Sequence, residues 1–287
     1  MVKLAIAHKH FIKSLEQKGN SGSTLIAYGK DIEQLTNHLM LKGIEDATQV
    51  QTAHLEEFMN KLANEGYTPK SISRKTNSTK TFFRFLLENK HITANAADLL
   101  KHPKVEVKAP RILSKIEYRA LRDAAKDDVR SSAMIEVLLQ TGVTISELAD
   151  IKLADMENTN LSVPKRNKKD SRIVPLNKAV LESIKKYIEA ERPNVPNSIH
   201  LFITKTGKSL LVRNIRSTID RFFKLAGVDK AKVNDLRHTF VAHHLSQGTS
   251  LLVLSKIAGH KRLSTTERYL QYIEKIETKE KSDLDIL

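Results

Sequence analysis

Near its C-terminus the chain reads Gly259-His260-Lys261-Arg262-Leu263-Ser264-Thr265-Thr266-Glu267-Arg268-Tyr269, and this stretch decides the fold. A second stretch upstream, Asp235-Leu236-Arg237-His238-Thr239-Phe240, supplies an arginine at the start of an expected helix. An Arg, a His and a Tyr that converge on one phosphate provide two groups for its oxygens and a hydroxyl that attacks phosphorus. The pattern therefore predicts a DNA strand-transfer enzyme that works through a phosphotyrosine bond.

The composition favours an anionic partner. The 287 residues carry a formal net charge of +15, and 40% of them are hydrophobic, which is compatible with globular folding. Residues 1–110 hold 16 Lys and Arg against 11 Asp and Glu, and the remainder holds 32 against 22. Because both parts are basic, we expect both to bind nucleic acid, rather than a single basic tail.

Several classes of protein are excluded by what the sequence lacks. It has no cysteine, which rules out disulfides, thiolate metal sites and cysteine nucleophiles. No apolar run approaches the roughly 20 residues that cross a bilayer. The segment from Met1 to Phe11 is interrupted by Lys and His and does not read as a signal peptide. We expect a soluble cytoplasmic protein with no membrane partner, no cofactor and no metal.

The first hundred residues have the apolar spacing of helices. Residues 20–23 offer a turn and N-cap candidates before a helix that contains Tyr28 and Asp31, and Thr68-Pro69 begins another. The latter carries basic residues without acidic partners at four-residue spacing until Glu88, namely Arg74, Lys75, Lys80 and Arg84. We therefore predict that this helix faces phosphates.

A break in helical periodicity at 101–110, with a proline near each end, predicts an extended basic linker. The expected organisation is a helical DNA-binding domain at 1–100, a linker at 101–112 and a second domain at 113–287. In the second domain Ser114 and Glu117 have the spacing of a capping box. Helices are predicted at 115–125, 131–140, 179–191, 213–226, 235–247, 251–258 and around 264–276. A hairpin of 161–163 and 172–176 makes the fold mainly α with a small β-sheet.

Each candidate residue has a chemical reason. Tyr269 is the predicted nucleophile, and Tyr272 is its rival from composition. Arg237 at a helix start can share an anion with the helix N-terminus, and His260 follows Gly259 at a helix end. The other histidines on the same expected helix lack a suitably placed further ligand and are predicted to be core or surface residues: His238, His243 and His244.

These stretches resemble the catalytic boxes of the tyrosine recombinases, the phage integrase family. The resemblance rests on residues 236–240, Gly259-His260 and Thr265-Thr266-x-x-Tyr269, and the nine-residue step from His260 to Tyr269 matches Xer-type members. Residues 141–148 resemble the first arginine box of the family, and 172–176 the second strand of its hairpin. Thr24-x-x-x-Tyr28-x-x-Asp31 and residues 110–114 resemble Xer-like core-binding and linker segments.

The resemblance implies a two-domain, C-shaped clamp with a SAM-like helical core-binding domain and an α/β catalytic domain. Tyr269 would form a 3′-phosphotyrosyl link and release a 5′-hydroxyl, while Arg237 and His260 bind phosphate oxygens or assist proton transfer. A hairpin lysine, Lys165 or Lys168, would protonate the leaving oxygen, since guanidinium gives up its proton too reluctantly. No metal or nucleotide is needed.

The implied function is site-specific recombination of duplex DNA through a Holliday junction, in integration, excision or resolution of a mobile element or replicon dimer. The partners implied are the DNA site, further copies of the chain in a tetramer, and an accessory or partner recombinase. A tail at 271–287 that docks on a neighbouring protomer is part of this expectation. The basic residues expected on DNA, besides those of the first domain, are Arg166, Arg213 and Arg216.

Two positions depart from the family pattern. Thr144 stands where the first box has arginine, and Asn234 stands where the second box has histidine. Loss of one oxyanion donor costs on the order of 100- to 1000-fold in rate. The chain is then an active recombinase that compensates with another basic residue such as Arg166 or Lys152, an engineered variant, or a catalytically silent DNA-binding protein. An unrelated basic helical DNA binder would require the boxes to be coincidence.

Overall fold

The computed structural model describes residues 2–106, 109–165, 170–270 and 273. The chain divides into two compact units, Met1–Val107 and Lys108–Leu287. Among the described residues no helix is both long enough and apolar enough to span a bilayer.

The first unit is helical, with α1 at Leu4–Gln17, α2 at Gly22–Met40, α3 at Thr52–Asn64 and α4 at Pro69–Glu88. The predicted caps are confirmed: the Ser21 hydroxyl accepts from the Thr24 N–H, and Thr68 caps α4 with Pro69 in its first turn. Fully buried phenylalanines form the centre of its core, Phe11, Phe58, Phe82 and Phe83.

A buried ion pair joins α2 to α4 in this unit. Asp31 is 2% exposed and accepts from the Lys75 ammonium (2.9 Å), from the Arg74 guanidinium and from the Ser78 hydroxyl (3.0 Å). The prediction that Lys75 faces a phosphate is wrong, because this side chain is buried against a carboxylate from a different helix. Arg84 is exposed, and the half-buried Lys80 donates to the Asp98 carbonyl (3.1 Å).

The second unit is mainly helical with one small sheet. Its helices are α5 Lys115–Ala125, α6 Val129–Thr141, α7 Ile145–Asp150, α8 Lys178–Ala190, α9 Val212–Leu225, α10 Val233–Ser246, α11 Leu251–Ala258 and α12 Ser264–Glu267. Three antiparallel strands, β1 Met156–Glu157, β2 Asn160–Val163 and β3 Arg172–Pro175, form the sheet in that order. The predicted hairpin is confirmed, with Leu161 opposite Val174 and Val163 opposite Arg172.

Two details differ from the sequence prediction. The short α7 and the two-residue β1 were not predicted, because neither is long enough to show a period. The last helix, predicted around 264–276, covers Ser264–Glu267, and beyond residue 270 only Ile273 is described. The predicted docking tail and Tyr272 lie outside the described residues.

The second unit has two apolar clusters. The larger one surrounds α6 and includes Leu138, Tyr187 and Phe202. The smaller one lies between α10 and α11, where it contains Phe240, Leu254 and also Tyr269. The candidate nucleophile is therefore part of a packed cluster next to α10.

Candidate active site

The Arg237 guanidinium is held between the ends of two helices. It lies one turn into α10, is 7% exposed, and donates to the carbonyls of Gly142 and Ala258. Gly142 ends α6 with a left-handed φ of 63°, and a Cβ there would lie 2.3 Å from a Phe240 ring carbon. Burial lowers the pKa of Arg237, and the nearby Glu147 opposes this. The guanidinium thus faces helix C-termini, which differs from the predicted site shared with a helix N-terminus.

The His260 ring is fixed by the turn after α11. Gly259 ends that helix in the left-handed region, with a φ of 67°. His260 Nδ1 lies 2.8 Å from the Thr266 hydroxyl, and Thr266 is fully buried. The imidazole lies nearly parallel to the Tyr269 ring, at 10° with centroids 6.4 Å apart.

The side chain of Tyr269 is buried, and its hydroxyl makes a polar contact. The residue is 4% exposed, and its Oη lies 2.6 Å from His238 Nδ1. Burial raises the pKa of the Tyr269 phenol, and the positive charges of Arg237 and Arg268 oppose the rise. The phenol is therefore protonated at neutral pH.

His238 links Tyr269 to Asn234. Its Nε2 lies 2.8 Å from Asn234 Nδ2, one turn earlier on α10. Burial lowers the pKa of His238, Asp235 raises it and Arg237 lowers it further, so the ring is neutral at pH 7. His238 is partly buried, and the prediction of a core or surface histidine did not include its contact with the candidate nucleophile. The four-residue spacing of Asn234 and His238 was the signal in the sequence, because it places both side chains on the same face of α10.

Thr144 is occupied by its own helix. Its hydroxyl accepts from the Glu147 N–H at the start of α7, and its own N–H donates to Glu147 Oε2 (2.7 Å). The same carboxylate binds Arg172 of β3 through two N–O contacts of 2.9 Å. Glu147 therefore takes part both in the capping box at the start of α7 and in a buried ion pair.

Arg172 was not predicted as a site residue. Besides Glu147, it contacts the last turn of α11, where its Nε donates to the Ile257 carbonyl (2.7 Å). Its guanidinium also lies against Gly259, since a Cβ at that glycine would lie 2.9 Å from Arg172 Nη1. The hairpin is thereby tied to the turn that carries His260.

A cavity of about 500 Å³ lies in front of Thr144. Asn234 and Arg237 line it together with Thr144, as do two cationic side chains, Arg216 of α9 and Lys232 before α10. Both cations are exposed. Lys152, one of the predicted compensating residues, is exposed at the start of a short turn at Leu153–Asp155.

The β2–β3 hairpin borders a second cavity, of about 740 Å³, which it shares with Gly259, His260 and Lys261. Lys165 follows β2 with its side chain 71% exposed, and its Nζ lies 3.9 Å from Asp170 Oδ1. The other predicted tip residues, Lys168 and Arg166, lie outside the described residues. Arg213 of α9 is exposed. Within the described part of the chain no cluster of His, Asp and Glu is arranged to hold a metal.

The sequence matches two family models. Residues 109–275 match the phage integrase family, and residues 9–90 match the N-terminal SAM-like domain of phage integrases. The chain belongs to the phage integrase family.

Members of this family, the tyrosine recombinases, are similar along most of the chain. Tyrosine recombinase XerC of Chlorobaculum parvum is 31% identical, covering 90% of this chain and 88% of its own length. Tyrosine recombinase XerD of Staphylococcus saprophyticus is 31% identical, covering 91% and 92%. The crystal structure of a lambda integrase tetramer bound to a Holliday junction shares the fold, with a TM-score of 0.74 at 20% identity, over 91% of this chain and 78% of that one.

Proposed function

We propose that this chain is a site-specific DNA recombinase that cuts and rejoins DNA strands through a covalent bond to Tyr269. The observation that carries the proposal is the meeting of three groups in the second unit. The Tyr269 ring lies parallel to that of His260, and the charge of Arg237 acts on the phenol. Attack on a phosphodiester requires a nucleophile, here Tyr269, next to a cation and a hydrogen-bond donor, here Arg237 and the imidazole of His260.

In the proposed reaction the Tyr269 oxygen attacks the scissile phosphorus, and the bond to the 5′-oxygen breaks. Arg237 and His260 bind the non-bridging oxygens as negative charge develops on them. Lys165 or Lys168 from the hairpin protonates the leaving 5′-oxygen. The energy of the broken bond is kept in the phosphotyrosine, so rejoining by another 5′-hydroxyl needs no nucleotide.

We infer that the missing family arginine at Thr144 is replaced by charge from a neighbouring helix. Arg216 and Lys232 line the same cavity as Thr144, Asn234 and Arg237. A phosphate bound there would lie beside three cationic side chains and one carboxylate, Asp220, and an excess of positive charge stabilises an oxyanion. This feature favours the active enzyme over the catalytically silent DNA-binding protein.

The proposal assigns DNA contacts to both parts of the chain. Residues 1–100 form the core-binding domain, 101–112 the linker and 113–287 the catalytic domain. The exposed residues Arg84, Arg213 and Arg216, together with the partly exposed Arg74 and with Arg166 at the hairpin tip, are proposed to contact phosphates. The net charge of +15 supports this assignment.

Assembly on DNA follows from the same proposal. Two strand exchanges through a Holliday junction need several active sites, and the lambda integrase of similar fold is described as a tetramer on such a junction. We propose a tetramer for this chain, either of identical copies or with a partner recombinase, as the separate XerC and XerD relatives suggest. Location in the cytoplasm, where the DNA lies, belongs to the same proposal.

The test is covalent capture. A library of nicked duplexes with a randomised centre is incubated with the chain, and adducts that survive denaturant are collected. We expect an adduct with the natural chain and with Tyr272→Phe, and none with Tyr269→Phe. DNA binding without any adduct would support the silent DNA-binding protein instead.

A further inference from the structure

Two consecutive polar contacts connect the candidate nucleophile Tyr269 to His238 and Asn234 of α10. The Tyr269 hydroxyl lies 2.6 Å from His238 Nδ1, and the other ring nitrogen of His238 lies 2.8 Å from the Asn234 amide. The His238 and Tyr269 rings are also in contact, with centroids 5.8 Å apart. An imidazole bound to a nucleophile on one side and an amide on the other has the geometry of a positioned base.

The Tyr269 phenol needs such a partner. It is 4% exposed and packs with Phe240 and Leu254, so bulk water has little access to its proton. Arg237 carries its own proton and cannot take another. His260 lies parallel to the phenol, with its Nδ1 directed to Thr266 instead. His238 is the side chain whose ring nitrogen contacts the hydroxyl.

We propose that His238 is the catalytic base for Tyr269 and that Asn234 orients its imidazole. This inference rests on the proposed recombinase function and adds a residue to it. As the Tyr269 Oη–P bond forms, the Oη–H bond breaks and the proton passes to His238 Nδ1. The P–O5′ bond breaks with its electron pair on the 5′-oxygen, which takes a proton from the hairpin lysine. In rejoining, the Tyr269 oxygen leaves and recovers its proton from His238.

Asn234 has a defined part in this transfer. For Nδ1 to accept the Tyr269 proton, the neutral His238 ring must already carry its own hydrogen on Nε2, and that N–H needs an acceptor. A half-turn of the Asn234 amide about Cβ–Cγ supplies it, because it brings Oδ1 to the place of Nδ2, 2.8 Å from Nε2. Asn234 itself cannot hold a proton at neutral pH. The base therefore lies one helical turn beyond the position at which the family pattern has histidine.

The surroundings keep His238 in the form that accepts a proton. From α10, Asp235 raises the pKa of His238 and Arg237 lowers it. The segment after α12 contributes the Tyr269 phenol, whose ring lies parallel to that of His260. Burial lowers the pKa of His238 below its ordinary 6.5, so the ring is neutral at pH 7. Cleavage that depends on the neutral ring falls only when the pH drops through that lowered value.

The experiment compares two leaving groups. One nicked duplex has an ordinary 5′-oxygen at the scissile bond, and the other has sulfur there, which leaves as a thiolate without needing a proton. His238→Asn puts an amide near the place of Nδ1, so the contact with Tyr269 is kept but a proton cannot be accepted. We expect His238→Asn to slow adduct formation by about 100-fold or more on both duplexes.

Matched variants separate a base from other roles. Lys165→Ala and Lys168→Ala are compared on both duplexes. The variant that lacks the general acid should form the adduct slowly on the duplex with the 5′-oxygen and at the normal rate on the duplex with sulfur. His243→Asn, an exposed histidine of the same helix, should leave both rates unchanged. Asn234→Asp should move the fall in rate to higher pH, because a carboxylate stabilises the protonated ring. That shift tests the base even where His238→Asn folds poorly.

Each contrary result has a distinct meaning. A His238→Asn rate equal to that of the natural chain, or a defect that sulfur restores, overturns the assignment of the base. An unchanged pH profile in Asn234→Asp does the same. Failure of the natural chain to form any adduct with either duplex overturns the proposed function, and this inference with it.

Discussion

Arg172 and Glu147 form a two-point ion pair in which both N–O distances are 2.9 Å and both side chains are less than one-tenth exposed. The pair joins β3 to the start of α7, and Arg172 extends the connection to α11 through the Ile257 carbonyl. Three separate stretches of the second unit are held together at the edge of the candidate site.

Removing one partner of this pair should destabilise the second unit. Arg172→Met removes both guanidinium contacts from the buried Glu147 carboxylate, and breaking a buried ion pair in this way typically costs about 3–5 kcal/mol of stability. Hydrogen exchange of peptides from α7 and α11 in the full chain measures the loss. Lys185→Met removes an exposed pair with Glu189 and should change stability by less than about 1 kcal/mol. Equal protection in the two variants would contradict the structural role of Arg172.

Asp31 should have a similar importance in the first unit. Asp31→Ala leaves the buried Lys75 ammonium without its carboxylate partner. We therefore expect the free energy of unfolding of the unit that contains α2 and α4 to fall by about 3–5 kcal/mol. Glu45→Ala is the control, since its pair with Lys3 is exposed on both sides. If Asp31→Ala instead weakens DNA binding without loosening these helices, Lys75 acts on DNA after all.

The helices and the hairpin could be predicted from local sequence signals. The roles of Lys75 and His238 could not, because each depends on contacts between residues that are far apart in the sequence. The limits of α5 were predictable because Ser114 and Glu117 form a visible capping box. The burial of Lys75 was not predictable, because its partner Asp31 lies on another helix, 44 residues earlier. His238 was missed for the same reason, since Tyr269 follows it by 31 residues and meets it only in the folded chain.

Charge at the cavity beside Thr144 should decide the cleavage rate. Arg216→Ala with Lys232→Ala should slow adduct formation by about 100-fold, because an oxyanion there loses its added cations. Thr144→Arg in that double variant should restore much of the rate by supplying the arginine of the family pattern. Arg221→Ala is the control, as this exposed residue of α9 pairs with Asp128. A double variant as fast as the natural chain would show that the charge comes from elsewhere.

One buried and three partly buried histidines should make the fold sensitive to mild acid. Burial lowers the pKa values of His8, His38, His238 and His244 below 6.5. The unfolded chain then binds more protons than the folded chain, so stability is full above pH 6.5 and is lost as the pH falls through the folded-state values. Melting temperatures between about pH 7 and pH 5, above the range in which ordinary carboxylates titrate, test this. His38→Gln should reduce the dependence, and a melting temperature that rises on acidification would contradict it.

The most direct measurement of the central claim is the position of the DNA bond on the protein. The captured adduct is digested with nuclease and protease, and the peptide that keeps a nucleotide is sequenced by mass spectrometry. We expect the modification on Tyr269, attached to a 3′-phosphate. A nucleotide on Tyr272 or on any other residue, or on the 5′ side of the break, would contradict it.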